Sequence, residues 1–248
     1  MNDSPPVDLV RHRSPELGAR PRVLLAVPVG ATEQHGPHLP LDTDTAVAVE
    51  LCRRLAARVP DVVVAPAIPY GSSGEHAGFP GTLSIGRHAL RVLLVELVRS
   101  ADEFAGVILV NGHGGNLEPL HAAARILRYE GRHVLAWSPT GNPDDSHAGH
   151  AETSVMLRLR PESVAMERLE PGETRPLGEI IDQLRQHGVA AVSANGVLGD
   201  PTRANAEDGE RLLETWATAL AERVGRHFPR AATATDVPTP AETPALPL

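Results

Sequence analysis

The sequence predicts one α/β domain: a mostly parallel central sheet flanked by helices on both faces. Three observations carry that reading. Four short apolar runs have the length and continuity of strands buried on both faces, as parallel strands are. Stretches with apolar residues at helical spacing lie between them. No Pro-, Ser- or Gly-rich linker divides the 248 residues, and no segment repeats at a fixed period.

Taken in order, residues 1–20 are polar, carry Pro5 and Pro6, and form an N-terminal arm ahead of a domain at 21–230. Val23 to Val29 (VLLAVPV) is the first strand, followed by a loop and a helix from about Thr45 to Val59. Asp61 to Ile68 (DVVVAPAI) is the second strand, closed by the Tyr70–Gly81 loop. From Arg87 to Phe104 a helix puts Leu90, Leu93, Leu94, Leu97 and Val98 on one face. Val107 to Val110 is the third strand, ending in a glycine loop and a helix through Tyr129. His133 to Ser138 (HVLAWS) is the fourth. A last long helix, about Ala204 to His227, carries Leu212, Leu213, Trp216 and Leu220. Residues 231–248 hold four prolines and read as a disordered Pro/Ala/Thr-rich tail.

Composition removes several function classes. Only 3% of residues are aromatic and the net charge is −8, which argues against stacked bases and against a phosphate backbone as partner. All 23 basic residues are Arg, so a Walker-type loop, a pyridoxal Schiff base and a lysine nucleophile are excluded. Cys52, the lone cysteine, allows no intrachain disulfide and no Cys-based zinc cluster, and its apolar helical setting predicts an inert thiol. No window is apolar enough to span a membrane and residues 1–20 lack a signal-peptide core, so the expectation is a soluble cytoplasmic protein.

The chemistry sits in the loops that follow the strands, where ligands collect in such sheets. After the first strand come Glu33, His35 and, opening a helix, Asp44. In extended chain Glu33 and His35 point to the same side, while Gly36, Pro37 and Pro40 forbid regular structure. Carboxylates and an imidazole arriving together suit zinc, manganese or iron. Spacing alone also fits a solvated loop with Asp44 as a helix cap. After the third strand, Asn111-Gly-His-Gly-Gly-Asn116 reads as a ligand, His113, on a glycine turn, as an anion cradle, or as a plain strand-to-helix turn. After the fourth, His147 and Glu152 could supply a general acid or base and another ligand, with Glu152 equally at home in a helix's first turn. His150 reads as a neighbour of the site or an exposed residue. The Tyr70–Gly81 loop adds Glu75 and His76, and its Gly-Ser-Ser-Gly is no nucleophile elbow. Six of the twelve histidines, at 35, 38, 76, 113, 147 and 150, thus fall in four loops that a parallel sheet gathers at one edge.

On these residues the chain resembles the creatininase family of amidohydrolase-like metallohydrolases. The resemblance rests on Val29-Gly-Ala-Thr-Glu-Gln-His-Gly-Pro-His-Leu-Pro-Leu-Asp-Thr-Asp44, Glu75-His-Ala-Gly-Phe-Pro-Gly-Thr82, Val110-Asn-Gly-His-Gly-Gly-Asn116, and His147 with Glu152-Thr-Ser154. Asn195-Gly-Val-Leu-Gly-Asp-Pro-Thr202 looks like the signature of one branch, whose members hydrolyse a ribosomally made, radical-modified precursor peptide during redox-cofactor biosynthesis. The resemblance implies release of a C-terminal Val-Tyr-derived unit. It also implies Glu33, His35, Asp44 and His113 as ligands of two divalent ions (zinc, iron or manganese), with Asp44 bridging. His147 is then the catalytic imidazole, and His38, His76 and Asn116 touch substrate or steady the ligands. A homo-oligomer, hexameric in the family, is implied as well. Creatininase itself carries a ligand glutamate where this chain has Gly115; Glu152 is the expected replacement, and creatinine becomes a poorer substrate. The rival readings are an amidohydrolase of a small formamide or cyclic amide, and a non-catalytic anion-binding protein.

Overall fold

A computed structural model of the chain describes residues 7–20, 23–141 and 145–229. The tail expected to be disordered, 231–248, lies outside the described residues. The elements are α1 (Ser14–Gly18), β1 (Leu24–Val29), α2 (Thr43–Arg58), β2 (Val62–Val64), α3 (Gly86–Arg99), β3 (Gly106–Asn111), α4 (Leu117–Tyr129), β4 (Val134–Trp137), α5 (His150–Leu159), α6 (Leu177–His187) and α7 (Ala206–His227). The strands form one sheet in the order β2-β1-β3-β4, and every pairing is parallel. Leu24 pairs with Val62 on one side and Gly106 on the other, and Val107 pairs with Val134.

Strand alternation divides the core into two layers. Leu25, Val27 and Val29 of β1 join Leu90 and Leu94 of α3 and Leu120 and Leu127 of α4 on one face. Leu24 and Ala26 join Leu51 and Leu55 of α2 and Leu213 and Leu220 of α7 on the other. Both faces of each strand are therefore apolar, which is why the strands read as unbroken hydrophobic runs; each Leu or Val so buried contributes about 1.5–3 kcal/mol.

The second strand is shorter than its apolar run. Pro66 has no N–H to give the ladder, so regular pairing stops after Val64, and contact with β1 resumes at Ile68, whose N–H donates to the Pro28 carbonyl (2.9 Å). Helix α3 ends at Arg99, five residues short of the predicted Phe104, and α6 was not apparent from the sequence. Helix α7 begins where Asn205 caps it, its side chain accepting from Asp208 N (2.9 Å). Of the N-terminal arm, Val7 accepts from Val64 N (2.9 Å) and Leu9 packs on the core, so this segment runs along the outer edge of β2.

The chain leaves β1 for β2 on one side and then crosses to β3 on the other. The strand order reverses between β1 and β3, and in such sheets the ligand crevice lies beyond the carboxyl ends at that reversal.

Candidate metal centre

That crevice is lined by the loops after β1, β3 and β4. Between β1 and α2 the chain is tied to itself, Glu33 N donating to Leu41 O (3.0 Å), and Asp44 follows in the first turn of α2. Glu33, His35, Asp44 and His113 are all buried, as is His147, while the side chain of Glu152 is 25% exposed.

Two imidazoles are oriented from behind. His35 Nδ1 donates to the Glu33 carbonyl (3.1 Å), which leaves Nε2 facing the crevice. His113 Nε2 donates to the Ser72 carbonyl (3.1 Å), which leaves Nδ1 facing it. Metal-ligating histidines are held this way, the second nitrogen fixed by a backbone or carboxylate acceptor.

Asp44 stands between them. Its Oδ1 is 3.1 Å from His35 Nε2 and its Oδ2 is 3.3 Å from His113 Nδ1. Glu33 Oε1 approaches His113 Nδ1 at 3.1 Å, and Glu152 Oε2 approaches His35 Nε2 at 3.7 Å. The side chains fall into two groups sharing Asp44: Glu33–Asp44–His113 and His35–Asp44–Glu152, each with its ligand atoms within 4.8 Å of one another. A third group of the same span joins Glu33, His35 and His147.

The charges show what this arrangement lacks. Both oxygens of Glu33 and Oδ2 of Asp44 are buried without a hydrogen-bond donor among the described residues. A buried carboxylate in that condition is costly unless a cation faces it. Burial opposes charge on His35, yet the facing Asp44, Glu152 and Glu33 outweigh it and push the imidazole up to about 10. His113 is likewise held well above its usual value, with Glu33 and Asp44 outweighing burial. Burial alone would raise the Asp44 carboxyl, but His35 and His113 reverse this and hold it well below the carboxylate range. Burial pushes Glu152 up to about 7. His147 goes the other way: burial, with His35 and His76 as neighbours, keeps it neutral well below the usual imidazole range. Three carboxylates and two protonated imidazoles packed in this way form a set that divalent cations could satisfy, the protons being displaced.

The remaining predicted residues lie around this set. His147 rests Nε2 on the Gln34 carbonyl (2.8 Å), with Nδ1 3.8 Å from Glu33 Oε1. His76 Nε2 is 3.2 Å from the same oxygen. His38 bonds Thr153 Oγ1 through Nε2 (2.8 Å), next in sequence to Glu152, and does not enter either group. Asn116 is a clamp, accepting from Ser72 N (2.8 Å) and donating to Gly30 O (3.0 Å) and Asn111 Oδ1 (3.1 Å). His150 lies apart, paired with Asp208 of α7 at 2.9 Å.

At Gly115 a Cβ would fall within contact distance of Ser72 O, Glu75 Oε1 and His113 Nε2. The 71–76 loop occupies the space a side chain there would need. Gln34 escaped the sequence reading because it carries no metal-binding group. Its one signal was position: it sits between Glu33 and His35 and so points to the opposite side.

Known proteins resemble this chain in sequence and in fold. The family model "Creatininase: Creatinine amidohydrolase" matches residues 11–224. The "Mycofactocin precursor peptide peptidase" of Mycolicibacterium smegmatis is 51% identical over 213 residues, covering 83% of this chain and 86% of that protein. Among solved structures, "Creatininase Mn" superposes with a TM-score of 0.75 at 28% identity, covering 91% of this chain and 100% of the other. A glutamate-to-glutamine creatininase variant of Zn–Zn type gives 0.74 at 29%, with the same coverage.

Proposed function

The chain belongs to the creatininase family and is a hydrolase of C–N bonds, and on that premise we propose that it is a metal-dependent peptidase of mycofactocin biosynthesis. Its substrate is the modified ribosomal precursor peptide, from which it releases the C-terminal Val-Tyr-derived unit. The two ligand groups that share Asp44 support the hydrolytic chemistry, and the relative named mycofactocin precursor peptide peptidase supports the substrate.

Glu33, Asp44 and His113 would hold one divalent cation, and His35, Asp44 and Glu152 a second; zinc, manganese and iron all suit these donors. Such cations supply polarisation of an amide carbonyl and a more acidic water. Glu152 replaces the carboxylate that Gly115 lacks, arriving from α5 instead of from the turn after β3. His147 works the protons. Its Nε2–H is committed to the Gln34 carbonyl, so Nδ1 is the free nitrogen, and the ring is neutral near pH 7. As water adds to the carbonyl carbon, Nδ1 takes the proton; as the C–N bond breaks, it returns that proton to the leaving nitrogen, giving a carboxylic acid and an amine. His76 and Asn116 hold ligands and loops in place, and His38 ties the 35–39 loop to α5.

The protein acts as a homo-oligomer. Val92 and Leu93 of α3, Leu117 and Ile126 of α4, and Leu83 and Ile85 just ahead of α3 are exposed, and a subunit interface there would cover them. No described helix is long and apolar enough to cross a membrane; the reaction belongs in the cytoplasm, where the precursor peptide is made.

The test is side-by-side turnover of the modified precursor peptide, creatinine and a small formamide by metal-loaded protein. Release of the Val-Tyr-derived unit at a kcat/KM well above the other two is expected. Faster turnover of formamide or creatinine would move the activity to the small-amide reading.

A further inference from the structure

Alternation places the Gln34 side chain opposite its two neighbours, and there it meets the backs of two other imidazoles. The amide is fixed at both ends. Its Oε1 accepts from Gly36 N (2.9 Å), and its Nε2 donates to the Gly196 carbonyl (3.0 Å), so the nitrogen side is unambiguous. That nitrogen also lies 2.8 Å from His76 Nδ1, and having only hydrogens to offer, it requires Nδ1 to accept. The proton of neutral His76 therefore sits on Nε2, the nitrogen 3.2 Å from Glu33 Oε1. His147 Nε2 lies 3.1 Å from the same amide nitrogen, but the two amide hydrogens go to the Gly196 carbonyl and His76 Nδ1, so Nε2 donates instead to the Gln34 backbone carbonyl (2.8 Å) and leaves Nδ1 bare.

Gly196 makes this seat. Its φ of +83° favours glycine, and a Cβ there would collide with the Gln34 amide. Leu198, two residues on, exchanges backbone hydrogen bonds with His147 (2.8 and 3.2 Å). The 195–199 turn thus holds Gln34 and His147 together.

We infer that Gln34 is a positioning residue that sets the tautomers of two imidazoles at once: its side chain puts the His76 proton on Nε2, the nitrogen nearest Glu33, and its backbone carbonyl keeps His147 Nδ1 free for proton transfer. This rests on the hydrolase reading for its consequence, but the tautomers can be observed without any substrate.

The experiment is 15N solid-state NMR of the full-length, histidine-labelled, zinc-loaded chain, with resonances assigned by their loss in His76→Asn and His147→Asn. In the parent, both rings should carry their proton on Nε2. In Gln34→Glu the carboxylate can only accept, so the His76 proton should move to Nδ1 while His147 stays as it was. Gln34→Met keeps length and removes both polar ends; it should keep bound zinc and lower kcat about 10–100-fold, the range for losing a group that orients a metal site. A parent His76 protonated on Nδ1, or a tautomer unmoved in Gln34→Glu, would overturn the inference. So would full turnover in Gln34→Met. If neither Gln34 variant folds, the parent spectrum alone decides.

Discussion

Loading metal into the metal-free chain should release protons in a number the structure specifies. Without metal, His35 is pushed up to about 10 and so is protonated at pH 8, while Glu33 and Asp44 shift His113 in the same direction. Asp44 is ionised and His147 is neutral, and neither contributes. Ligation requires both imidazoles to be neutral, so filling the site at pH 8 should release about one to two protons, the His35 proton among them. At pH 6 Glu152, pushed up to about 7, is mostly protonated and must lose its proton too, so the release rises by about one. Each proton released makes the apparent affinity of the ion that displaces it rise about tenfold per pH unit, and for the ion held by His35 this spans about pH 7 to 9. The sign for folding is opposite. The folded metal-free chain holds protons on His35 that the unfolded chain loses near pH 6.5, so its stability is fully present below pH 6.5 and falls as pH rises toward 10. Titration calorimetry with zinc or manganese, repeated in buffers of different ionisation enthalpy, counts the protons directly. A release near zero at pH 8, or one that grows between pH 6 and 8, would refute the view that these imidazoles face the carboxylates as cations awaiting replacement.

Asp44→Asn should abolish both ions, since Asp44 belongs to both groups, whereas Glu152→Gln should abolish one; metal content per folded chain checks this. At an ion concentration of about 100 Kd each site stabilises by about 2.7 kcal/mol, or about 5–11 °C in Tm for a chain of this size, so Glu152→Gln should keep the gain of one site on metal addition. His147→Ala should keep its metal and lose turnover by about 10²–10⁴-fold; unchanged turnover with full metal would remove His147 from proton transfer. Cys52 is fully buried and its thiol is pushed up by that burial, so a thiol reagent should label it only on unfolding; rapid labelling of native protein would contradict the packing of α2.

Much of the architecture was legible in the sequence because it depends on local pattern. Strands buried on both faces must be continuously apolar, and β1, β3 and β4 stood out for that reason. The loops of the candidate metal centre were legible through residue type, since Glu33, His35, Asp44 and His113 carry groups able to coordinate. Their convergence then follows from topology: parallel strands end on one edge, and the ligand crevice of such sheets lies at the reversal between β1 and β3. What escaped depends on three-dimensional packing. Helix α6 packs Ile180 and Leu184 into a small satellite core with Val189 and Leu198, away from the sheet, so the alternation of strand and helix gave no reason to expect it.

Gly115 shows most plainly where residue type stops being a guide. Read along the chain, it is a ligand lost from the turn after β3. Read in space, the position is one that cannot carry a side chain, because Ser72 O and Glu75 Oε1 already occupy the volume a Cβ would enter. The Ser72 carbonyl that helps exclude a side chain at 115 is also the acceptor that orients His113. Having glycine there and aiming His113 Nδ1 at Glu33 and Asp44 are therefore parts of one arrangement. A glutamate restored at 115 would have to displace the 71–76 loop, and with it the hydrogen bond that orients His113. Glu152 is free of that conflict. It enters from α5, and its Oε2 also accepts from Ala148 N (2.6 Å), so the carboxylate is anchored at the end of the same turn that presents His147.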